Sequence, residues 1–312
     1  MPKTNSLTTV IIPRLLQGAL TLLIFVTVVF VLMRMIGGDP ALAFAAPDAT
    51  AAEIEQLRAS MGLDEPIYVQ YGIYLRDMIT GSFGTSVKVG RAVSDLIWEH
   101  TANSLKLAVT AVLFSVVIAI PLGVLAASNR FTGVDSSIRA IAVFAMAAPS
   151  FWLSIVLIQI VAVGWGLLPV AGMKGPASYI LPGFVLASLL IASIVRLLRS
   201  GMLDVLNSEY VKLARLKGVP ERQIIWKHAL RNAIIPVLGF SSVQIATFIS
   251  GSVVIEIVFA WPGLGALTYS ALTTRDFALI QGTITAAVFF TIVVNLLADI
   301  FYSYLDPRIR VS

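Results

Sequence analysis

Five polar side chains sit where they could meet something crossing a bilayer. Gln159, Gln244, Asn295 and Asp299 interrupt or border long apolar runs, and Glu256 stands at the outer edge of another. Such groups are costly in hydrocarbon, so they either line a substrate path or bond one helix to the next. Helix–helix bonding is the expectation for the first four, whereas at Glu256 gating competes with a structural role. Hydrolytic and metal chemistry find little support. The chain has no cysteine, which removes thiolate ligands and Cys nucleophiles, and His100 and His228 are its only histidines. No HExxH motif, paired aspartates or convincing Ser/His pair suggests an intramembrane hydrolase. Gly81-Ser82-Phe83-Gly84-Thr85-Ser86 is glycine-rich but lacks the Lys-Ser/Thr ending of a phosphate loop.

The elements that must position these residues follow from composition. The 312 residues are 58% hydrophobic and 12% charged, with a mean hydropathy of +0.90. Soluble domains carry about 25% charge, so much of this surface must face lipid. Six uncharged runs, Leu15–Met33, Leu107–Asn129, Ala140–Met173, Gly175–Val195, Asn232–Ile255 and Phe277–Ala298, each reach bilayer-spanning length. The third is too long for one straight span, and Gly164, Gly166 and Pro169 should end its helix near Val163. Continuous rather than alternating apolarity selects helices over a barrel. The reading is an all-α integral membrane protein with about six transmembrane helices and one domain over 1–312. Pro121, Pro149, Pro182 and Pro236 mark helix ends or tolerated kinks. The first run exceeds a signal-peptide core, so it is read as a retained span even though Ala43-Phe44-Ala45 looks like a cleavage site.

Lys3, Arg14, Arg130, Arg139, the run from Arg196 to Arg231, Arg308 and Arg310 fall on the side of both termini. The short loops opposite hold little beyond Lys174 and Arg275, so the positive-inside rule puts both termini in the cytoplasm. The pI near 9.6 is then a topological signal, not one for nucleic acid. The outer segment, about 37–102, contains a capping box at Thr50–Glu53, a stop at Gly62, and a second helix from Pro66 to Gly81. Its Ile67, Tyr71, Tyr74, Leu75 and Met78 suit either an interfacial helix or a cap packed over the outer helix ends.

On the inner side, 196–231 forms the longest polar stretch. Asn207 or Ser208 can cap a helix from Glu209 to Lys217. Gly218 supplies a left-handed stop, and Pro220 suits the first turn of a second helix through Ile224, Ile225, His228 and Leu230. A docking plug for another protein and a basic loop that only enforces topology both fit this composition.

The run Glu209-Tyr210-Val211-Lys212-Leu213-Ala214-Arg215-Leu216-Lys217-Gly218, with His228-Ala229-Leu230-Arg231-Asn232-Ala233 and Pro236, resembles the coupling loop of ABC-importer permeases, and in particular the dipeptide/oligopeptide/nickel permease family. The resemblance extends to Gly62-Leu63-Asp64-Glu65-Pro66, Ala148-Pro149-Ser150-Phe151-Trp152-Leu153, Leu168-Pro169-Val170-Ala171-Gly172, Phe259-Ala260-Trp261-Pro262-Gly263-Leu264-Gly265 and Leu305-Asp306-Pro307-Arg308. Lys212-Leu213-Ala214 replaces the general Glu-Ala-Ala, and Arg231 replaces a common proline, both as in the peptide-type variant. The resemblance implies a type I importer permease fold in the bacterial inner membrane, translocating dipeptides or oligopeptides. Nickel, glutathione or opines are alternative cargoes. It implies a second permease, two ATP-binding subunits and a soluble substrate-binding protein as partners, besides membrane lipid. The chain would bind no cofactor, and ATP and Mg would be used by the partner subunits. Glu209, Tyr210, Ala214, Arg215, Lys217, Gly218, His228, Leu230 and Arg231 would form the ATPase-docking loop. An ion-coupled secondary transporter is the rival, but it should show intramembrane charges or inverted repeats, and neither is evident.

Overall fold

In the computed structural model, residues 7–35, 41, 42, 45, 49–60 and 62–305 are described, and these are mostly helical, joined by turns and loops, with one isolated bridge, Thr85–Ala92. Lys3, Gly37–Pro40, Phe44, the end motif from Asp306 and the side chain of Asp299 lie outside the described residues. The helices are α1 (Leu7–Met35), α2 (Ala51–Ser60), α3 (Ile67–Thr80), α4 (Val93–Ser128), α5 (Gly133–Ala147), α6 (Ser150–Leu157), α7 (Ile180–Leu206), α8 (Glu209–Leu216), α9 (Leu230–Gly251), α10 (Val253–Val258), α11 (Leu264–Thr274) and α12 (Phe277–Leu305). A π-helical segment, Ile158–Gly164, extends α6, and another, Ile224–Ala229, leads into α9. Among the described residues, four continuous helices are long and apolar enough to cross a membrane, five spans if a bent pair is counted as one. The fifth run falls in α9, a 22-residue helix with several side chains outside the described ones.

That bent pair corrects the expected third span. In place of a single span over Ala140–Val163, α5 and the α6 arm meet at 109°, with the break at Pro149, which the sequence reads as a helix end or kink. Pro149 causes the break: it has no N–H to donate and disfavours helical backbone at the residue before it. Ala148 accordingly adopts φ −72°, ψ 123°. Each arm is about 22 Å long at 1.5 Å per residue, too short to cross alone. The arm ends at Gly164, as expected. By contrast, Pro121 and Pro236 remain inside continuous helices.

The centre of the bundle is the pair α4 and α7, which run side by side in the same direction. Ala111, Ser115, Ala119, Gly123 and Ala127 form a buried stripe along α4 at four-residue spacing. Gly183 and Ala187 are buried on α7. A Cβ on Gly183 would lie 2.8 Å from Thr110 Cγ2, and one on Gly123 would lie 2.9 Å from Leu198 Cδ2. The small residues therefore set the approach of the two backbones, the usual basis of helix association in lipid. The first helix, α1, buries only one face, with Val26, Val29 and Phe30 inward and Leu16, Leu20, Ile24 and Val28 exposed. It lies at the edge of the bundle.

The outer segment folds as a cap over helix ends. The Thr50–Glu53 box closes reciprocally, with Thr50 N donating to Glu53 Oε2 at 2.7 Å and Glu53 N to Thr50 Oγ1 at 3.4 Å. Gly62 takes φ +65° after α2. Tyr71 hydroxyl meets Thr27 Oγ1 at 2.6 Å, Tyr74 stacks on Phe30 at 5.6 Å, and Tyr74 hydroxyl reaches Thr285 Oγ1 at 3.3 Å. These contacts favour the packed cap over the interfacial alternative. Asp276, 1% exposed, fastens the cap to α12: it accepts from Ser86 Oγ at 2.7 Å and from Leu279 N at 3.1 Å. The span read as Leu107–Asn129 starts well before that, because α4 extends outward to Val93 and packs there with Leu264 and Leu279.

Enlarging either contact glycine should separate α4 from α7. Gly183→Val and Gly123→Val are each expected to lower stability by about 1–3 kcal/mol, read as a lower thermal midpoint in detergent. Gly72→Ala, where a Cβ meets nothing within 4 Å, should leave the midpoint near that of the parent chain.

Candidate functional site

The basic inner segment is a braced elbow. Helix α7 runs on to Leu206, so the turn begins only at Asn207. Ser208 is the N-cap residue of α8, through backbone geometry: its carbonyl accepts from Val211 N at 3.2 Å and Lys212 N at 3.1 Å. Its hydroxyl bonds backward to Val205 O instead. Gly218 has φ +76° and reverses the chain. Pro220 stands at the N-cap, one position ahead of the expected first turn. The second helix is one short turn, Glu221–Gln223, before the π segment Ile224–Ala229.

Arg215 braces both arms. Its Nη2 and Nε donate to the Glu221 carboxylate at 2.7 and 3.2 Å, and Nη1 reaches Leu206 O at 3.4 Å. The guanidinium holds the Glu221 carboxyl below its ordinary pKa, so this brace is present at neutral pH and lost as pH falls through that lowered value. Tyr210 hydroxyl accepts from Asn232 Nδ2 at 2.7 Å, tying α8 to α9. Val211 and Ile224 are fully buried and form the inner seam. Outward, the elbow exposes Leu213 (52%), Leu216 (85%) and Trp226 (49%) beside half-exposed Tyr210. Three large apolar groups on a polar, basic elbow form a knob suited to a hydrophobic groove. Sequence reasoning left these three out of the docking set, although Leu216 between Arg215 and Lys217 was a readable signal. Of that set, Glu209, Lys217, Gly218 and Arg231 are exposed, while Ala214, His228 and Leu230 are partly buried against the seam.

At the other end, Glu256 is 0% exposed and organises a knot. Its Oε1 accepts from Ser104 Oγ at 2.6 Å and Ser252 Oγ at 2.8 Å, and its Oε2 from Ala266 N at 2.9 Å. Ser104 Oγ in turn accepts from Leu264 N at 2.8 Å. Trp261 Nε1 donates to Asn103 O at 3.1 Å, and its ring meets Tyr179 edge-on at 4.7 Å. Gly172 N donates to Phe259 O at 2.8 Å, which draws in the loop after the third span. A Cβ at Gly263 would overlap the Glu256 carboxyl, and one at Gly265 would lie 2.9 Å from its Oε2. The two glycines of Trp-Pro-Gly-Leu-Gly are thus seats for the carboxylate. Enclosed on all sides, Glu256 faces this knot and no open path.

The remaining path candidates lie on three different elements, and the side chain of Asp299 is outside the described residues. Gln159, on the π segment after α6, and Asn295, on α12, are exposed, and their amides make no hydrogen bond among the described residues. Gln244, on α9, is partly buried. An amide facing hydrocarbon without a partner is costly. Glu256→Ala would strand the Ala266 N–H and two hydroxyls, and should lower stability by about 1–3 kcal/mol. Thermal unfolding in detergent checks this, and an unchanged midpoint would contradict the knot's structural role.

Residues 119–311 match the family described as the binding-protein-dependent transport system inner membrane component, and residues 7–97 match its N-terminal membrane component. The oligopeptide transport system permease protein AppB of Bacillus subtilis is 38% identical over 311 residues, covering 96% of this chain and 98% of that protein. The glutathione transport system permease protein GsiC of Escherichia coli K12 is 37% identical over 300 residues, again with 96% and 98% covered. Among solved structures, the inward-facing MetNI methionine ABC transporter aligns at a TM-score of 0.56 and 19% identity, over 68% of this chain and 96% of that chain. The last likeness shows the fold, that of a type I ABC-importer permease. With nearly its whole length matched, this multi-pass, all-α chain belongs to the binding-protein-dependent transport system inner membrane component family, the permease subunits of ABC transport complexes.

Proposed function

We propose that this chain is one permease half of an ATP-driven importer of dipeptides or oligopeptides in the bacterial inner membrane, with both termini in the cytoplasm. The observation that carries the reading is the elbow: Leu213, Leu216 and Trp226 stand exposed on a segment fixed by Arg215–Glu221 and Asn232–Tyr210. A rigid apolar knob on the basic side of a membrane bundle suits the groove of an ATP-binding subunit. Two such subunits would supply ATP and Mg chemistry, and this chain contributes none. Closure on ATP would push on α8 and rock the bundle, the rigid-body form expected of such switches.

The unpartnered amides of Gln159 and Asn295 support a second permease, because a partner or a wet path would satisfy them where lipid would not. A soluble binding protein would deliver cargo to the outer cap. The names of the oligopeptide and glutathione relatives favour peptides over nickel or opines. Glutathione is the alternative cargo, itself a small peptide. Glu256 acts in this account by keeping the outer loops assembled rather than by touching cargo.

Leu216→Asp removes the most exposed part of the knob without touching the seam. Co-purified ATP-binding subunit should drop about tenfold or more, roughly 1.4 kcal/mol of docking free energy, and ATP-dependent peptide uptake in proteoliposomes should fall with it. The yield of folded chain should not change. Undiminished co-purification and uptake would remove the elbow from the docking role, and uptake independent of ATP would point to a secondary transporter.

A further inference from the structure

Asp135, in the first turn of α5, is 0% exposed. Arg199 of α7 closes a two-pronged ion pair on it, with Nε 2.6 Å from Oδ1 and Nη2 2.7 Å from Oδ2. Arg139, one turn along α5, adds a contact of 3.3 Å, and Phe131 N–H donates to Oδ2 at 3.2 Å. Phe131 has φ +64°, so the carboxylate also closes the tight turn that enters the third span.

The place of this cluster matters more than its strength. Arg199 lies two turns before Leu206, where α7 ends and the elbow begins. Arg215 reaches back from the elbow to the Leu206 carbonyl, and α9 approaches α7 at Gly201, where a Cβ would sit 3.5 Å from Ala233. The inner end of α7 therefore carries the elbow. Outward of the ion pair, α5 and α7 pack together through apolar residues, with a shallow groove of about 70 Å³ among Ile138, Ile141, Ile191 and Val195. The charged contact fixes the inner end of this apolar junction. Separating it would leave the buried carboxylate with only the longer contact to half-exposed Arg139, a loss that a low-dielectric site resists.

We propose that Asp135 and Arg199 are the positioning pair through which displacement of the elbow reaches the third span, so that the inner end of α7 and α5 move as one body. The break at Ala148–Pro149 lies beyond the linked turn, so motion passed to α5 would meet the α6 arm carrying Gln159 across that bend. The proposal rests on the importer reading.

The test uses the full complex, with its partner permease, ATP-binding subunits and binding protein, in proteoliposomes where uptake and ATP hydrolysis are measured together. Asp135→Asn is compared with the double variant Asp135→Asn/Arg199→Gln, which leaves no lone buried charge and guards against misfolding. In the double variant, assembly and ATP hydrolysis should stay within about twofold of the parent, while peptide taken up per ATP falls about fivefold or more. Arg139→Gln, removing the longer and more exposed contact, should leave that ratio within about twofold. A double variant with an unchanged ratio would overturn the proposal. Failure of the double variant to assemble would also overturn it, by reducing the pair to a structural clamp. Absence of ATP-driven uptake by the parent complex would instead overturn the importer reading, and the proposal with it.

Discussion

Helices in lipid gain little by hiding apolar surface from one another, so close approach and satisfied polar groups must hold the bundle. Everything else in this chain depends on how α4 and α7 meet that constraint. The stripe Ala111–Ser115–Ala119–Gly123–Ala127 and the glycine at 183 let the helices approach closely, Gly123 seating Leu198 and Gly183 seating Thr110 and Phe114. Large apolar residues are then free to face lipid, which is why Leu16, Leu20 and Val117 are exposed without being liabilities.

Polar organisation is displaced to the two ends of that seam. Outside, Glu256 gathers donors from α4, the end of α9 and the start of α11, and the Gly-Leu-Gly turn leaves room for its carboxylate. Inside, Arg199 and Arg215 perform the corresponding task, one binding α7 to α5 and the other bracing the elbow that α7 carries. Under the proposal above, a seam fastened at both ends would carry motion along its length. That is the property a permease needs if an event under the membrane is to change access above it.

Much of this was legible in the sequence. Apolar run length places the spanning helices, Gly218 and Gly62 stop helices with the left-handed backbone expected of them, and Thr50–Glu53 forms its box. These signals are local, so a window of residues contains them. What escaped was relational. Pro149 was visible as a break, but a 109° bend depends on where α6 can pack, which no window holds. Asp135 and Arg199 are 64 residues apart, and in sequence each reads as an ordinary charge on the basic side. Leu216 looked like one more helix residue until the buried seam of Val211 and Ile224 fixed which face of the elbow turns outward. Glu256 stood out by its place at the outer edge of a span, with gating and a structural role both open, but its neighbours Ser104 and Ala266 come from distant segments that no window joins to it.

The central claim is that this chain works only as part of an assembly, with a second permease beside it and ATP-binding subunits beneath. The most direct measurement is isolation of the tagged chain from native membranes in mild detergent, with mass spectrometry and stoichiometry of all that remains bound. The account predicts recovery of a related permease in equal amount, together with ATP-binding subunits. A folded chain that reproducibly comes away alone, or only with copies of itself, would contradict it.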